Sequence, residues 1–258
     1  MPRRDSLPLE GATVLVTRPS GTAGAFLRLV RSLGARAIAV PGLSLRAADA
    51  ADRSHRSVPA FDGWIFTSPA AVRFGADTLP PRRARRNLQA FALGDGTARA
   101  LARLGIGATV PRDRFDSEGL LALAELKRVR GKRIALVGAP GGRDLIGPTL
   151  RRRGARVDAL HVYRRDPPRL TRRHFDAIQA ADDPLITLVS SGEALGHLVA
   201  LLPAAALERL RAQALVVSSA RLVGIAREHA FVQIVQARSA APRDLLAAAT
   251  AALGRHRL

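Results

Sequence analysis

The chain has no cysteine, and that absence removes disulfides, thiolate metal sites and a cysteine nucleophile together. A reducing compartment, the cytoplasm, fits such a composition. Lysine is nearly missing too, since Lys127 and Lys132 are the only two among 41 basic residues. Aromatic residues make up 4% of the chain, with one tryptophan (Trp64) and one tyrosine (Tyr163), so a base-stacking platform for nucleic acid is poorly supplied. No stretch approaches the ~18 uninterrupted apolar residues of a membrane span, because Pro, Arg or Asp breaks every candidate. The charged start, Met1-Pro2-Arg3-Arg4-Asp5, leads only to Val14-Leu15-Val16 before Thr17-Arg18-Pro19 interrupts, which does not read as a signal peptide. His55, His161, His174, His197, His229 and His256 show no i, i+4 pairing and no carboxylate cluster beside them, so no metal site is expected.

What the chain has in excess is arginine, with a formal charge of +20. Two explanations stay open. Arginine forks suit a polyanionic partner, nucleic acid or a small polycarboxylate. Equally, Arg, Ala, Gly and Pro are all abundant, so the arginines can be a compositional bias that solvates the surface. The charge is dispersed, with dense runs only at Pro81-Arg82-Arg83-Ala84-Arg85-Arg86 and Arg151-Arg152-Arg153, and no recognition helix is visible. No nucleic-acid partner is expected.

At 258 residues, 47% of them hydrophobic, the chain has the length of two domains and enough apolar material for both cores. Much of the sequence occurs twice in the same order. Val14-Leu15-Val16 leading through Leu33-Gly34-Ala35 to Ile38-Ala39-Val40 returns as Ile134-Ala135-Leu136-Val137-Gly138, Gly154-Ala155 and Val162-Tyr163. Gly63-Trp64-Ile65-Phe66-Thr67-Ser68 returns as Leu185-Ile186-Thr187-Leu188-Val189-Ser190-Ser191. Ala90-Phe91-Ala92-Leu93-Gly94-Asp95-Gly96-Thr97 is echoed by Leu215-Val216-Val217-Ser218-Ser219. The helix entry Asp116-Ser117-Glu118-Gly119 is matched by Pro242-Arg243-Asp244. Each copy begins with a short β-branched or aliphatic run that breaks into Ser, Thr, Gly or Pro before a helical pattern, the mark of buried parallel strands joined by helical crossovers. The expected fold class is α/β with two similar parallel-sheet domains facing each other across a cleft. In such sheets ligands bind beyond the carboxyl ends of the strands. Thr17, Thr67, Ser68, Gly94, Thr97, Ser190, Ser191, Ser218 and Ser219 all fall at that edge.

Familiar motifs fit poorly. Gly94-Asp95-Gly96-Thr97 lacks the third glycine of a dinucleotide fingerprint, and Asp95 would face a phosphate with like charge. Ala139-Pro140-Gly141-Gly142-Arg143 lacks the Lys-Ser/Thr of a phosphate loop. No Gly-x-Ser-x-Gly elbow exists. Asp62 reads as a turn residue, and Glu118 either as a first-turn acid that favours the helix dipole or as a catalytic base. Tyr163, at the end of the strand that leaves the first half, reads either as a core aromatic with a capped hydroxyl or as a phenol donor.

Together these pieces resemble the uroporphyrinogen-III synthase family over nearly the whole chain. Val16-Thr17-Arg18-Pro19, Ile65-Phe66-Thr67-Ser68-Pro69, Leu93-Gly94, Thr97-Ala98, Ser117-Glu118-Gly119-Leu120, the Gly141-Gly142-Arg143 turn with Leu145, Val162-Tyr163-Arg164 and Ser190-Ser191 carry the likeness. The resemblance implies two flavodoxin-like domains, one discontinuous (1–37 and 167–258) and one continuous (47–158), joined by crossing linker strands at 38–46 and 159–166. It implies a cofactor-independent lyase of tetrapyrrole biosynthesis that closes hydroxymethylbilane, a linear tetrapyrrole polycarboxylate, to uroporphyrinogen III with the last ring inverted. Tyr163 would assist departure of the hydroxyl. Thr17, Arg18, Thr67, Ser68, Gly94, Thr97, Ser190 and Ser191 would bind carboxylates, as would Ser218, Ser219 and Arg221, where this chain departs from the family's Gly- and Thr-containing turn. A monomer with a small-molecule substrate, no cofactor, no nucleic acid and no membrane is expected. The alternative is a cleft-type sensor that binds a small molecule without turnover.

Overall fold

The structure is a computed structural model that describes residues 7–49, 60–80, 88–112, 114, 116–141 and 145–256. His55, the arginine run at 82–86 and the Gly142-Arg143 part of the glycine turn lie outside the described residues. The chain divides into two compact units, residues 1–44 with 166–258 and residues 45–165.

The discontinuous unit begins with β1 (Thr13–Val16), α1 (Gly24–Ser32) and β2 (Arg36–Ala39). The chain then passes through β3 (Ser44–Ala47) into the continuous unit. That unit holds β4 (Gly63–Phe66), α2 (Pro69–Phe74), β5 (Ala90–Ala92), α3 (Asp95–Ala102), β6 (Ala108–Thr109), α4 (Ser117–Leu121), α5 (Ala124–Lys127), β7 (Arg133–Gly138), α6 (Ile146–Arg152) and β8 (Arg156–His161). It returns through β9 (Tyr163–Asp166) to α7 (Arg172–Gln179), β10 (Leu185–Val189), α8 (Gly192–Leu201), α9 (Ala204–Arg211), β11 (Ala214–Val217), α10 (Ala220–Glu228), β12 (Ile234–Gln236) and α11 (Pro242–His256). Strands β3 and β9 form a small sheet of their own.

Each unit carries a five-stranded sheet, β12-β11-β10-β1-β2 in one and β6-β5-β4-β7-β8 in the other. Neighbouring strands in both are parallel. Counted from its central strand, β10 or β4, each sheet reads three, two, one, four, five. The discontinuous unit is therefore a circular permutation of the other, and the sequence repeat is the topological repeat. The α/β class with parallel sheets is as expected. Taken in chain order, the discontinuous unit reads 2-1-3-4-5, the flavodoxin order, and the continuous unit reads 3-2-1-4-5, so the likeness in strand sequence holds in the discontinuous unit alone.

Helices cover both faces of each sheet, which is why the inner strands read as unbroken apolar runs. Val14, Val16, Ile186 and Leu188 pack against Phe26 and Val30 of α1 and Leu245, Leu246 and Ala249 of α11. Leu15, Leu185 and Val189, on the opposite face, meet Ile178, Leu195, Leu207 and Leu222 from α7 to α10. In the continuous unit Trp64 and Phe66 face α2 and α3, and Ile65 and Phe91 face Leu120, Leu126 and Leu150. The edge strand β8 buries only Val157 and Leu160, one on each face, and leaves its other positions partly or fully exposed. Helices α7 and α9 have no counterpart in the repeat as read from sequence.

Four helices hand the chain to an edge strand or its approach through one residue with positive φ. Gly34, Gly105 and Gly154 do so at +90°, +75° and +86°, and Ala230 does so at +62°. Glycine suits this left-handed position, which closes the last turn by bonds such as Ile106 N–H to Leu101 O and Ala155 N–H to Leu150 O. Ala230 makes the same closure, with Phe231 N–H donating to Ala226 O, and carries the steric cost of its Cβ.

Tyr163 does not end the strand that precedes it. Strand β8 stops at His161, and Val162 divides its backbone between two sheets. Its N–H donates to Gly138 O of β7, while its C=O accepts from Ala48 N–H at the end of β3. Tyr163 therefore opens β9.

Candidate functional site

The carboxyl ends of the inner strands gather the hydroxyl residues in each unit, and the local chemistry explains why they stay there. A strand that gives way to a helix leaves the first helical N–H groups without partners, and a serine at the junction accepts from one of them. Ser68, after β4, accepts from Ala71 N–H at 3.0 Å. Ser191, after β10, accepts from Ala194 N–H at 3.4 Å. Gly94 and Ser219 begin α3 and α10 without a side-chain cap.

In the continuous unit Ser68 has a second partner. Its Oγ lies 3.1 Å from the hydroxyl of Tyr163, 95 residues further along the chain. Phe74 stacks on the Tyr163 ring with centroids 5.6 Å apart and planes at 22°. Helix α2 can sit this close because Gly75 has no side chain; a Cβ there would stand 3.0 Å from Val137 Cγ1 and 3.4 Å from Val162 Cγ1. Tyr163 is 7% exposed, so its ring belongs to the core, and its hydroxyl meets Ser68 just past the carboxyl end of β4. Thr67 donates from Oγ1 to Val137 O at 3.2 Å, and Gly138 leaves the room for that hydroxyl. Thr97, in the first turn of α3, is 3% exposed. Beyond β7, Arg165 donates to Pro140 O at 2.8 Å, against the positive-φ Gly141.

In the discontinuous unit Thr17 is buried and donates to Leu188 O at 2.8 Å, tying β1 to β10 where both end. Arg18 follows it, half-buried. Its Nη2 donates to Ala240 O at 3.1 Å and its guanidinium lies 5.5 Å from the centre of the Phe26 ring. Desolvation pushes its pKa below the usual arginine value, and no carboxylate among the described residues pairs with it. It remains a cation, since arginine does not deprotonate in proteins. Ser190, Ser218 and Ser219 are half-buried beside it in sequence order along the sheet edge, and Arg221 is exposed. At the start of α11, Ser239 and Arg238 both donate to Asp244, which holds that carboxyl below its ordinary range.

Other residues weighed from sequence have structural tasks. Asp62 accepts from Arg133 N–H at 2.7 Å. Glu118 stands in the first turn of α4, 3.7 Å from Arg114. The α4 entry is fixed by Asp116, which accepts from Gly119 N–H at 2.8 Å, and Gly119 is required because a Cβ would overlap Arg114 O. His174 serves the α7 capping box and His197 bonds through Nδ1 with Gly42 O. Among the described residues no three His, Asp or Glu side chains converge as a metal set, and no helix is long and apolar enough to cross a membrane. Sequence reasoning missed Phe74, Gly75 and Gly138. The one signal for Phe74 is its place on the buried side of a short helix that starts at Ser68.

Comparison with known proteins gives a consistent result. The family model described as "Uroporphyrinogen-III synthase HemD" matches residues 24–247. The chain is 35% identical over 252 residues to a uroporphyrinogen-III synthase of Salmonella typhimurium, covering 92% of this chain and 99% of that protein. It is 33% identical over 249 residues to the uroporphyrinogen-III synthase of Escherichia coli, with the same coverage. Among solved structures, uroporphyrinogen-III synthetase from Helicobacter pylori superposes with a TM-score of 0.66 at 14% identity, covering 93% of this chain and 99% of that one. A mutant uroporphyrinogen III synthase from Thermus thermophilus gives 0.54 at 20% identity, covering 94% and 99%. At these identities the two structures speak for the fold.

Proposed function

The chain belongs to the uroporphyrinogen-III synthase family, and from that premise we propose that it converts hydroxymethylbilane to uroporphyrinogen III, with loss of water and inversion of the last pyrrole ring. The observation that carries this reading is the 35% identity along 92% of the chain, which spans both units and leaves neither to another task.

In the proposed reaction the bond between the hydroxymethyl carbon and its oxygen breaks, the electron pair leaves with the oxygen, and a proton completes the departing water. The pyrrole nitrogen stabilises the cation left behind, an azafulvene. Attack by a substituted carbon of the last ring then gives a spiro intermediate on the way to the inverted macrocycle. Tyr163 donates toward the departing hydroxyl, as a hydrogen-bond donor or general acid. The rest is positioning, since an unguided chain closes without inversion. Thr17, Arg18, Ser190, Ser191, Ser218 and Ser219 in one unit, and Thr67, Ser68, Gly94 and Thr97 in the other, bind the carboxylates through hydroxyls, backbone amides and one guanidinium. The hydroxyls of Thr17, buried, and Thr67, half-buried, already serve strand carbonyls, which favours their backbone amides as the donors. The proposal keeps 1–37 with 167–258 and 47–158 as the two flavodoxin-like working lobes, 38–46 and 159–166 as linkers, and a cytoplasmic monomer as the acting form.

The test is to incubate the purified protein with hydroxymethylbilane and separate the type III from the type I macrocycle. Type III is the expected product. Type I alone, at the spontaneous rate, overturns the reading and leaves a binding protein without turnover.

A further inference from the structure

Ser68 and Ser191 hold equivalent places, each closing the strand at the centre of its sheet and each accepting from the amide three residues on. They differ in what the rest of the hydroxyl does. A serine Oγ has one proton and two acceptor positions. In Ser191 the amide takes one acceptor position, and the proton has no partner among the described residues. In Ser68 the amide takes one acceptor position and Tyr163 takes a second valence. The Ser68 hydroxyl is directed inward, at the one phenol in the chain.

We propose that Ser68 is the positioning residue of Tyr163, setting the direction of its phenolic proton, and that its hydroxyl is not itself a carboxylate contact, which leaves its backbone amide for that part. This rests on the reading of Tyr163 given above. The pair has two arrangements. Either Tyr163 donates to Ser68 and its proton is occupied, or Ser68 donates to the phenol oxygen and the phenolic proton is free to point at an incoming acceptor. The Ala71 N–H that bonds Ser68 Oγ polarises the serine O–H and strengthens it as a donor, which favours the second arrangement. Stacking on Phe74 and the close seat of α2 at Gly75 hold ring and serine at a fixed separation, so switching needs only the two hydroxyl protons to rotate. A substrate hydroxyl arriving near Tyr163 then meets a donor whose own acceptor side is already satisfied.

The experiment compares Ser68→Ala, Ser68→Thr, Ser191→Ala, Tyr163→Phe and the Ser68→Ala/Tyr163→Phe pair in turnover of hydroxymethylbilane. Protein carrying isotope-labelled tyrosine gives a single ring signal in nuclear magnetic resonance, which reports the hydrogen bonding of Tyr163 in the absence of substrate. Ser68→Ala is expected to lower kcat on the order of tenfold with KM little changed, and to move the tyrosine signal. Ser68→Thr, which keeps a hydroxyl, restores both. Ser191→Ala raises KM and leaves the signal in place. In the Tyr163→Phe background Ser68→Ala has no further effect on kcat. A raised KM with unchanged kcat for Ser68→Ala, an unmoved tyrosine signal, or a full additional loss in the Tyr163→Phe background overturns the proposal. Unaltered turnover of Tyr163→Phe alone is a different result, which removes the role of Tyr163 itself.

Discussion

The two units share a strand order, a capped serine after the central strand and a left-handed residue at the turn into the outer strands, yet they are furnished differently. The continuous unit has the phenol, held by Ser68 and Phe74. The discontinuous unit has Arg18, half-buried where β1 ends and without a carboxylate partner among the described residues, beside a row of half-buried serines. Charge is uneven too. Residues 45–165 hold 24 basic and 11 acidic residues, and the other unit holds 17 and 10, so the net charges are +13 and +7. Features common to both units belong to the scaffold, because duplication repeats what the fold needs. Features found once are the candidates for chemistry, which happens at one place on an asymmetric substrate.

This division can be broken most sharply at the singular residues. Tyr163→Phe removes the one phenol and is expected to lower kcat on the order of a hundredfold while far-ultraviolet circular dichroism stays unchanged. An intact rate would put Tyr163 back among the core aromatics. Arg18→Gln takes away the half-buried cation that follows β1, and about a tenfold rise in KM at unchanged kcat is the expected outcome in steady-state kinetics, the size of one charge-assisted hydrogen bond. If kcat fell instead, Arg18 would act on the reaction and not on binding.

Shared features should respond alike in both units. Ser68→Ala and Ser191→Ala each remove a helix cap, and chemical denaturation should find similar losses of about 1 kcal/mol although their kinetics differ. Unequal losses would mean that the Tyr163 contact carries stability as well. At the left-handed turns the odd member is Ala230, so Ala230→Gly is expected to stabilise by about 0.5 kcal/mol, relief of the Cβ strain outweighing the greater freedom of glycine when unfolded. A loss on denaturation would show that the backbone there tolerates alanine. The smallest effect concerns acid. Bonds from Arg238 and Ser239 hold Asp244 below its ordinary value of 3.8, so the folded state gains from that carboxylate above the unfolded value and loses the gain as pH falls through the folded one. Asp244→Asn should lower thermal stability slightly at neutral pH, where the gain is fully present, and flatten the acid limb below about pH 4, where the parent protein has already lost it.

Most of the architecture was legible because each strand announces itself. Val14-Leu15-Val16, Ile65-Phe66 and Leu185-Ile186-Thr187-Leu188-Val189 are short, mainly apolar runs ended by hydroxyl residues, and buried parallel strands leave few other readings. The hydroxyl edge followed from the same pattern. What stayed hidden depends on distance along the chain. Nothing near Ser68 points to a residue 95 positions away, and Tyr163 carries no local sign that the peptide before it serves two sheets. The burial of Thr17 and Thr97 was hidden for a related reason, since a threonine just past a strand can turn either to solvent or to the neighbouring carbonyl, and Leu188 O takes the hydroxyl of Thr17. Helices α7 and α9 escaped because the repeat offered no template for them.

One consequence of building a unit from both segments of the chain concerns its birth on the ribosome. Strands β1 and β2 emerge early but their central partner β10 lies beyond the 121 residues of the inner unit, 45–165. At roughly 5–20 residues per second, that interval lasts on the order of ten seconds. The inner unit can settle during synthesis, while the outer one waits, its first strands unmatched, until translation has supplied β10.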